Sequence, residues 1–352
     1  MTAPGRTPAP GDIPVVDVVA LGESMVTFLP TRPGRLADVP SFERAIGGAE
    51  SNVACVLAAA GHSARWVSRV GADGFGDHLV EAIGSYGVDV SHVRRDAARP
   101  TGVYFRTAGD RATDAHEVAY YRAGSAASAM TADNLDLAAV RAGRVLHLSG
   151  ITAALSAGCL ELTRELTAPR PGRPLVSFDV NHRPGLWREA ADAGRALLAP
   201  ARRADLVLVG EDEAAEAWGV TGGPDAIREL LPQPTVLVVK QGGRGAVAFH
   251  PGGRTFVPAL HVAVVSPIGA GDAFAAGFLS ATLRGLPVRD RLRHGHLMAA
   301  AALTVPGDLA VPPARHHADR LAALDEAAWG RLRLGPGWTR TAEGAEEEVR
   351  TP

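Results

Sequence analysis

Short apolar runs alternate along this chain with longer stretches in which apolar residues recur every three or four positions. An apolar run bounded by turn residues is typical of a strand buried on both faces of a parallel sheet, and the longer period is typical of a helix. The predicted fold class is therefore α/β, with a mostly parallel central sheet and helices on both faces. Strands are predicted at residues 15–22, 65–70, 144–148, 174–179, 204–209 and 235–239, and helices include 77–86, 273–283 and a final helix at 288–304.

One section departs from this alternation. Residues 101–106 and 117–122 are predicted to be paired strands around a polar loop, 107–116, and they hold three of the four tyrosines. Such residues suit an exposed hairpin face, and they equally suit an aromatic lid over a sugar-like ligand. The pattern alone leaves both interpretations open. Residues 23–42, with prolines at 30, 33 and 40, are predicted to be irregular.

The clearest chemical pattern is Ser266-Pro267-Ile268-Gly269-Ala270-Gly271-Asp272, between a predicted strand at 261–265 and the helix at 273–283. Backbone N–H groups in the first turn of a helix lack partners, and the helix dipole favours an anion there. Glycine at 269 and 271 lets an oxyanion approach without a Cβ in the way. Asp272 suits two roles beside this predicted anion site: a helix cap, or a general base that takes a hydroxyl proton.

A second glycine turn, Gly47-Gly48, opens a predicted helix that runs to residue 60, where Gly61 ends it. The glycine pair fits either a tight turn or close approach of the backbone to a ligand. Asn52, early in this helix, is either exposed or directed back toward the turn. A third glycine-rich turn, at 240–245, begins with Lys240.

Polar clusters follow three predicted strands, at residues 149–152, 179–183 and 210–213. Open parallel sheets bind ligands outside the carboxyl ends of their strands, so we expect these clusters to share one crevice. The glycines of residues 71–76 fall in the order G-x-x-G-x-G, which is not the dinucleotide fingerprint. No G-x-x-x-x-G-K-[ST] run of a P-loop kinase occurs in the sequence.

Composition and charge narrow the class of protein further. The formal net charge of −2 gives no reason to expect nucleic acid or a membrane surface as a partner. No apolar run approaches the roughly 20 residues of a spanning helix, so a cytoplasmic location is expected. Cys55 and Cys159 are expected to be buried core residues, and the histidines at 294, 296, 316 and 317 lack the spacing of zinc ligands. Residues 1–14 and 335–352 are predicted to be a disordered leader and tail.

Together these motifs resemble the ribokinase-like (PfkB-type) carbohydrate kinases over about residues 15–324. The amino-terminal signature of that family is matched by Gly47-Gly48, Asn52 and Ala54, its V-G-x-D-x-x-G stretch by residues 70–76, and its G-A-G-D signature by residues 269–272. Each motif alone is weak, but their order and separation make the set specific. Within the family the chain is most similar to the 2-keto-3-deoxygluconate kinases, through residues 47–50, 120–126, 148–152 and 178–187.

The resemblance implies a kinase domain at residues 15–334 with a small β-sheet lid from about 23–46 and 99–124. It implies ATP-dependent phosphorylation of the 6-hydroxyl of 2-keto-3-deoxygluconate, with Mg²⁺, an optional monovalent cation, and a homo-oligomer of two or more chains. Guanidinium forks bind carboxylates bidentately, which favours a sugar acid over a neutral hexose. The implied residues are Asp272 as base with Gly269, Ala270 and Gly271; Gly47, Gly48, Asn52, Tyr104, Tyr120, Arg122, Ile151 and Arg183 for the sugar acid; Lys240, Gly242 and Gly245 for the nucleotide; and Glu213 for the metal, through water.

The sequence departs from the family pattern in two places. Ser266-Pro267 stands where the family has Asp-Thr, and Pro267 has no N–H to contribute. The second departure is Gly210, which stands where the family has Asn. In the nucleotide turn, which otherwise matches, Lys240 stands where Thr is common. Neither departure touches Asp272, so activity is expected. The alternatives are another sugar kinase, such as a fructokinase, and a non-catalytic sugar-acid or nucleotide sensor on the same fold.

Overall fold

The computed structural model describes residues 13–32, 34–107, 117–187 and 190–340. Its strands, numbered in chain order, are β1 (Val16–Leu21), β2 (Met25–Pro30), β3 (Phe42–Gly47), β4 (Ala64–Val67), β5 (Arg69–Gly71), β6 (Arg94–Asp96), β7 (Val103–Arg106), β8 (Val118–Tyr121), β9 (Gly143–Ser149), β10 (Leu175–Asp179), β11 (Leu206–Gly210), β12 (Val236–Lys240), β13 (Gly245–His250), β14 (Gly253–Pro258), β15 (His261–Val262) and β16 (Arg333–Leu334). Its α-helices are α1 (Ala49–Ala59), α2 (Gly74–Ser85), α3 (Leu137–Arg141), α4 (Gly150–Ala154), α5 (Ala157–Thr167), α6 (Ala190–Arg203), α7 (Glu211–Trp218), α8 (Gly223–Leu230), α9 (Ala270–Leu283), α10 (Val288–Leu303), α11 (Arg315–Ala322) and α12 (Glu326–Arg331).

The main sheet has the strand order β14-β13-β12-β11-β10-β9-β1-β4. The strands from β12 to β4 in this order pair in parallel, and β13 and β14 add an antiparallel edge. Consecutive residues of β1 belong to different cores: Val18 packs with α1, α9 and α10, and Val19 packs with the helices on the opposite face. Burial on both faces is why β1 is apolar at nearly every position, and the predicted α/β class is confirmed.

A small second sheet has the order β3-β2-β7-β8. β7 and β8 pair antiparallel, as predicted for the two tyrosine-containing strands. The prediction that residues 23–42 are irregular is wrong, because β2 pairs with β3 from Met25↔Gly47 to Pro30↔Phe42 and also lies parallel to β7. The prolines interrupt the local strand pattern, whereas the pairing that makes β2 a strand comes from residues far away in sequence.

Asp73 joins the small sheet to the main body. Its side chain accepts hydrogen bonds from the backbone N–H groups of Phe75 and Gly76, which start α2, and from the backbone N–H of Thr101, which leads into β7. The Thr101 hydroxyl in turn accepts from the N–H of Gly71. This network is the structural reason for an aspartate in the V-G-x-D stretch.

Several predicted boundaries are corrected by the structure. The strand predicted at 65–70 is two strands, since β4 belongs to the main sheet and β5 pairs with β6. Only His261–Val262 of the strand predicted at 261–265 is a strand, and it pairs with β16. Helices α2 and α9 each begin three residues before their predicted starts, and α10 is followed by α11 and α12 rather than being the final helix.

Other predictions concern the termini, the cysteines and a membrane. Most of the predicted leader, at residues 1–12, and most of the predicted polar loop, at 108–116, lie outside the described residues. Residues 341–352 of the predicted tail also lie outside them. Residues 335–340 of that tail are described and include a 3₁₀ turn at Trp338–Arg340. Cys55 and Cys159 are both buried with free thiols, as expected for core residues. In the described ranges, no helix is both long enough and apolar enough to cross a membrane.

Candidate active site

A cavity of about 820 Å³ lies between the small sheet and the carboxyl ends of the main-sheet strands. It is the crevice expected from the three polar clusters, because residues from each of them line it. Most of the predicted site residues line this one cavity, whereas Ala270, Gly242 and Gly245 do not. The predicted residues in its lining are Gly47, Gly48, Asn52, Tyr104, Tyr120, Arg122, Ile151, Arg183, Glu213, Lys240, Gly269, Gly271 and Asp272.

The predicted anion site lies at the start of α9. Gly269 is the N-cap residue with a φ of 76°, and a Cβ there would lie 2.2 Å from the backbone oxygen of Asp308, so only glycine fits. A Cβ at Gly271 would meet only the Lys240 Nζ, at 3.9 Å, so that position opens on the cavity. Ala270, Gly271 and Asp272 are the first three residues of the helix, where backbone N–H groups lack helical acceptors. This turn can therefore receive an oxyanion.

Asp272 is not the helix cap. It is the third residue of α9, and no side chain caps that helix. Its Oδ2 accepts a hydrogen bond from Asn52 Nδ2 at 2.9 Å, and its Oδ1 lies 3.5 Å from Asn181 Nδ2. Burial raises the pKa of the Asp272 carboxyl to about 7, against a lowering by the Asn52 hydrogen bond and with a further increase from Asp179. A carboxyl with a pKa near neutrality is suited to accept a proton.

Lys240 ends β12 and points at the same region. Its Nζ lies 3.0 and 3.2 Å from the two carboxylate oxygens of buried Asp179. Burial alone would lower the pKa of Lys240, but the carboxylates of Asp179, Glu213 and Asp272 together outweigh burial and raise it. The lysine is therefore charged, and it places a cation beside the open face of Gly271.

Gly242 and Gly245, predicted to contact a nucleotide, form the turn between β12 and β13. Their φ values are 56° and 135°, and a Cβ at Gly245 would lie 2.3 Å from the backbone oxygen of Val257. The turn geometry explains both glycines without a ligand. Their nucleotide role stays a prediction.

The arginines and tyrosines predicted to bind a sugar acid differ in their solvent exposure and in their ion pairs. Arg122 is mostly buried and forms an ion pair with buried Glu23. Arg183 is 54% exposed, and its Nη1 lies 3.8 Å from Glu213. The Tyr104 and Tyr120 rings lie 5.4 Å apart, with Tyr120 exposed and Tyr104 buried. Arg183 is thus the predicted arginine whose charge is least compensated.

Glu213 lines the cavity and is mostly buried. Its Oε2 accepts a hydrogen bond from the backbone N–H of Gly210 at 2.6 Å, so it holds the start of α7. Burial raises the pKa of Glu213, and Lys240 opposes that increase. The described residues contain no group of three His, Cys, Asp or Glu placed to hold a metal ion. A single carboxylate fits Mg²⁺ all the same, because that ion keeps several waters and is completed by substrate phosphates.

Arg106 and Asp308 are among the cavity residues that the sequence reasoning missed. The Asp308 carboxylate accepts hydrogen bonds from Tyr104 Oη at 2.9 Å and from Arg106 Nη2 at 2.7 Å. The side chain of Arg106 is 4% exposed and that of Asp308 is 6% exposed. Arg106 stood only in a strand pattern and Asp308 in no motif, so no local signal could have paired residues 202 positions apart.

Comparison with known proteins identifies the family. The model of the pfkB family carbohydrate kinases matches residues 16–315. The 2-dehydro-3-deoxygluconokinase of Thermoproteus tenax is 35% identical over 90% of this chain and 96% of that protein, and that of Bacillus subtilis is 34% identical over 85% and 93%. The crystal structure of a PfkB protein from Polaromonas sp. JS666 has a TM-score of 0.76 at 36% identity, covering 86% of this chain and 99% of that chain.

The ribokinase-like fold and these matches define an ATP-dependent sugar kinase, a transferase. This chain belongs to the PfkB family of carbohydrate kinases.

Proposed function

We propose that this kinase phosphorylates the 6-hydroxyl of 2-keto-3-deoxygluconate (2-dehydro-3-deoxygluconate), with Asp272 as the general base. The observation that carries the proposal is the place of Asp272: a carboxyl with a pKa raised to about 7, at an anion-accepting helix start, inside the cavity. The described activity of the two relatives from T. tenax and B. subtilis supports the choice of substrate.

In the proposed reaction, an Asp272 carboxylate oxygen takes the proton of the sugar hydroxyl. The hydroxyl oxygen forms a bond to the γ-phosphorus of ATP while the bond from that phosphorus to the bridging oxygen breaks, which releases ADP. Backbone N–H groups of Ala270 and Gly271, with the Lys240 ammonium, stabilise the charge on the transferring group. Phosphoryl transfer depends mainly on positioning and charge stabilisation, and the start of α9 supplies both.

We also propose that the kinase uses Mg²⁺ together with ATP. Glu213, acting through water, would hold it, and the ion would neutralise negative charge on the phosphates of ATP. Gly242 and Gly245, in the turn after Lys240, are proposed to border the nucleotide.

Arg183 is the proposed binder of the substrate carboxylate. Its guanidinium is half exposed in the cavity, whereas Arg122 is neutralised by Glu23. Arg122 then serves to orient the site, and Tyr104 and Tyr120 flank the sugar. A guanidinium recognises a carboxylate through two parallel hydrogen bonds, which a neutral sugar cannot use in the same way.

Replacing Arg183 with alanine is therefore expected to raise the KM for the sugar acid by about 10- to 100-fold, which corresponds to the loss of a charge-assisted hydrogen bond. The ATP KM is expected to stay within about twofold. Steady-state kinetics with each substrate varied in turn measures both values. Arg254→Ala, on the exposed β14, is the matched control. An unchanged sugar-acid KM in Arg183→Ala would show that another group binds the carboxylate.

The proposed substrate is tested by ATP-coupled turnover with Mg²⁺ on 2-keto-3-deoxygluconate, 2-keto-3-deoxygalactonate, 2-ketogluconate, fructose and ribose. Preference for the 3-deoxy keto acids supports the proposal. Preference for fructose or ribose would keep the kinase class and reject the sugar acid. No turnover on any of the five would favour a sensor on the same fold, and Ser266-Pro267 and Gly210 would be the first residues to restore to the family pattern.

A further inference from the structure

Arg106 is a buried cation that connects the small sheet to the segment after α10. It lies at the end of β7, and its side chain is 4% exposed. Its Nη2 donates to the carboxylate of Asp308 at 2.7 Å and to the backbone oxygen of Pro306 at 3.2 Å. One guanidinium nitrogen therefore holds two points of the segment that follows α10.

That segment packs directly behind the start of α9. The backbone of Asp308 lies so close to Gly269 that its oxygen would be 2.2 Å from an added Cβ. The Asp308 carboxylate also accepts from Tyr104, the neighbour of Arg106 on the same face of β7. A continuous set of contacts thus runs from β7 through Asp308 to Gly269, the residue that precedes α9.

The charges along this path make Arg106 hard to replace. Burial raises the pKa of the Asp308 carboxyl, and the Arg106 guanidinium opposes that increase and keeps the carboxylate form accessible. Without Arg106, the one side-chain hydrogen bond that this buried carboxyl keeps among the described residues is the one from the Tyr104 hydroxyl. Loss of one member of a buried ion pair leaves an uncompensated charge, which drives local rearrangement.

We propose that Arg106 is a positioning residue that ties the small sheet to the start of α9 through Asp308. Tyr104, Tyr120 and Arg122 lie on the small sheet or directly after it, and Asp272 lies on α9. The tie sets the distance between these three side chains and Asp272. The inference rests on the proposed function in so far as those side chains hold the acceptor sugar. It requires no contact between Arg106 and a substrate.

The kinetic test compares Arg106→Gln with Arg106→Lys, using whichever sugar of the panel turns over best. Arg106→Gln is expected to raise the sugar KM and lower kcat by about tenfold each, because a misplacement of about 1 Å is enough to cost up to 100-fold. The ATP KM is expected to stay within about twofold. Arg106→Lys is expected to be intermediate, since an ammonium replaces the charge but not the planar fork. Arg44→Gln, exposed on β3 of the same sheet, is the matched control and is expected to match the wild type.

Hydrogen exchange tests the tie without any substrate. Backbone amides of β7 and β8 are expected to exchange at least threefold faster in Arg106→Gln than in the wild type, while those of β9 and β10 in the main sheet keep their rates. Because this result does not depend on which sugar is phosphorylated, it separates a failure of the tie from a failure of the proposed substrate.

Two results would overturn the inference. One is exchange in β7 and β8 that equals the wild type together with an unchanged sugar KM. The other is an equal increase of the sugar and ATP KM values with faster exchange throughout the main sheet, which would show a merely structural role. If Arg106→Gln does not fold, Arg106→Lys decides, because wild-type kinetics and exchange in that variant would equally reject the tie.

Discussion

Asp272→Asn is expected to lower kcat by about 10²- to 10⁴-fold, the range that a positioned general base contributes. Asparagine keeps the size of the side chain but cannot accept the hydroxyl proton. The anion site is built from backbone N–H groups and is unchanged, so the ATP KM is expected to stay within about twofold. Steady-state kinetics with the preferred sugar measures both, and the exposed Asp133→Asn is the matched control.

The pH profile gives a second readout for the same variant. Burial raises the pKa of Asp272 to about 7, so the carboxylate form is lost as the pH falls through that value. The wild-type kcat/KM is therefore expected to fall about tenfold per pH unit below 7, and this acidic limb is expected to be absent from Asp272→Asn. A variant with near-normal kcat, or one that keeps the limb, would show that another group is the base.

The stability of Asp272→Asn is expected to change in the opposite direction to its activity. The folded pKa of about 7 lies above the ordinary value of 3.8, so the unfolded chain releases this proton first as the pH rises. The wild type therefore loses stability as the pH rises from about 4 to about 7, on the order of 4 kcal/mol for a shift of this size. Asparagine does not ionise, so the variant is expected to be the more stable protein at pH 8.

Lys240→Met is expected to lower the free energy of unfolding by about 3 to 5 kcal/mol, because it leaves the Asp179 carboxylate buried and unpaired. In the wild type, Lys240 Nζ lies within hydrogen-bond distance of both carboxylate oxygens of Asp179. Chemical denaturation at pH 7 measures the change. The matched control is the exposed ion pair of Arg254 and Asp225, where Arg254→Ala is expected to cost less than about 1 kcal/mol.

The double variant Lys240→Met, Asp179→Asn separates structure from chemistry. Removing the orphaned charge is expected to restore most of the stability. In the single and the double variant alike, the ATP KM is expected to be raised and kcat lowered, because both lack the cation beside Gly271. Full recovery of activity along with stability would show that Lys240 only neutralises Asp179. If Lys240→Met lost no more stability than Arg254→Ala, Lys240 and Asp179 would not behave as a buried ion pair.

Much of the fold could be predicted from local pattern. The strands of the main sheet are apolar on both faces, so β1, β9, β10, β11 and β12 were predicted close to their observed bounds. Gly61 ends α1 with a φ of 87°, as a glycine after a helix should. The small sheet was only half predicted, because β2 carries no clear strand pattern and owes its conformation to pairing with β3 and β7.

The site could be predicted as a set of turns but not as a set of contacts. The glycine turns at 47–48 and 269–271 and the polar strand ends were recognised, because loops at the carboxyl ends of parallel strands meet on one side of a sheet. The choice between cap and base for Asp272 was not available locally, since both roles fit a strand-turn-helix sequence. The position of the helix start excludes the cap, because Asp272 is third in α9, and the base is the role that we propose.

The sequence by itself determined the alternation of strands and helices, the places where glycine is required and the acid beside the anion site. These features depend on backbone conformation and on residues near each other in the chain. Only the tertiary structure decided which charges are free and which are compensated: Arg122 with Glu23, Lys240 with Asp179 and Arg106 with Asp308. Each of these pairs joins residues at least 61 positions apart, and the burial that sets their charge states exists only once the chain is packed.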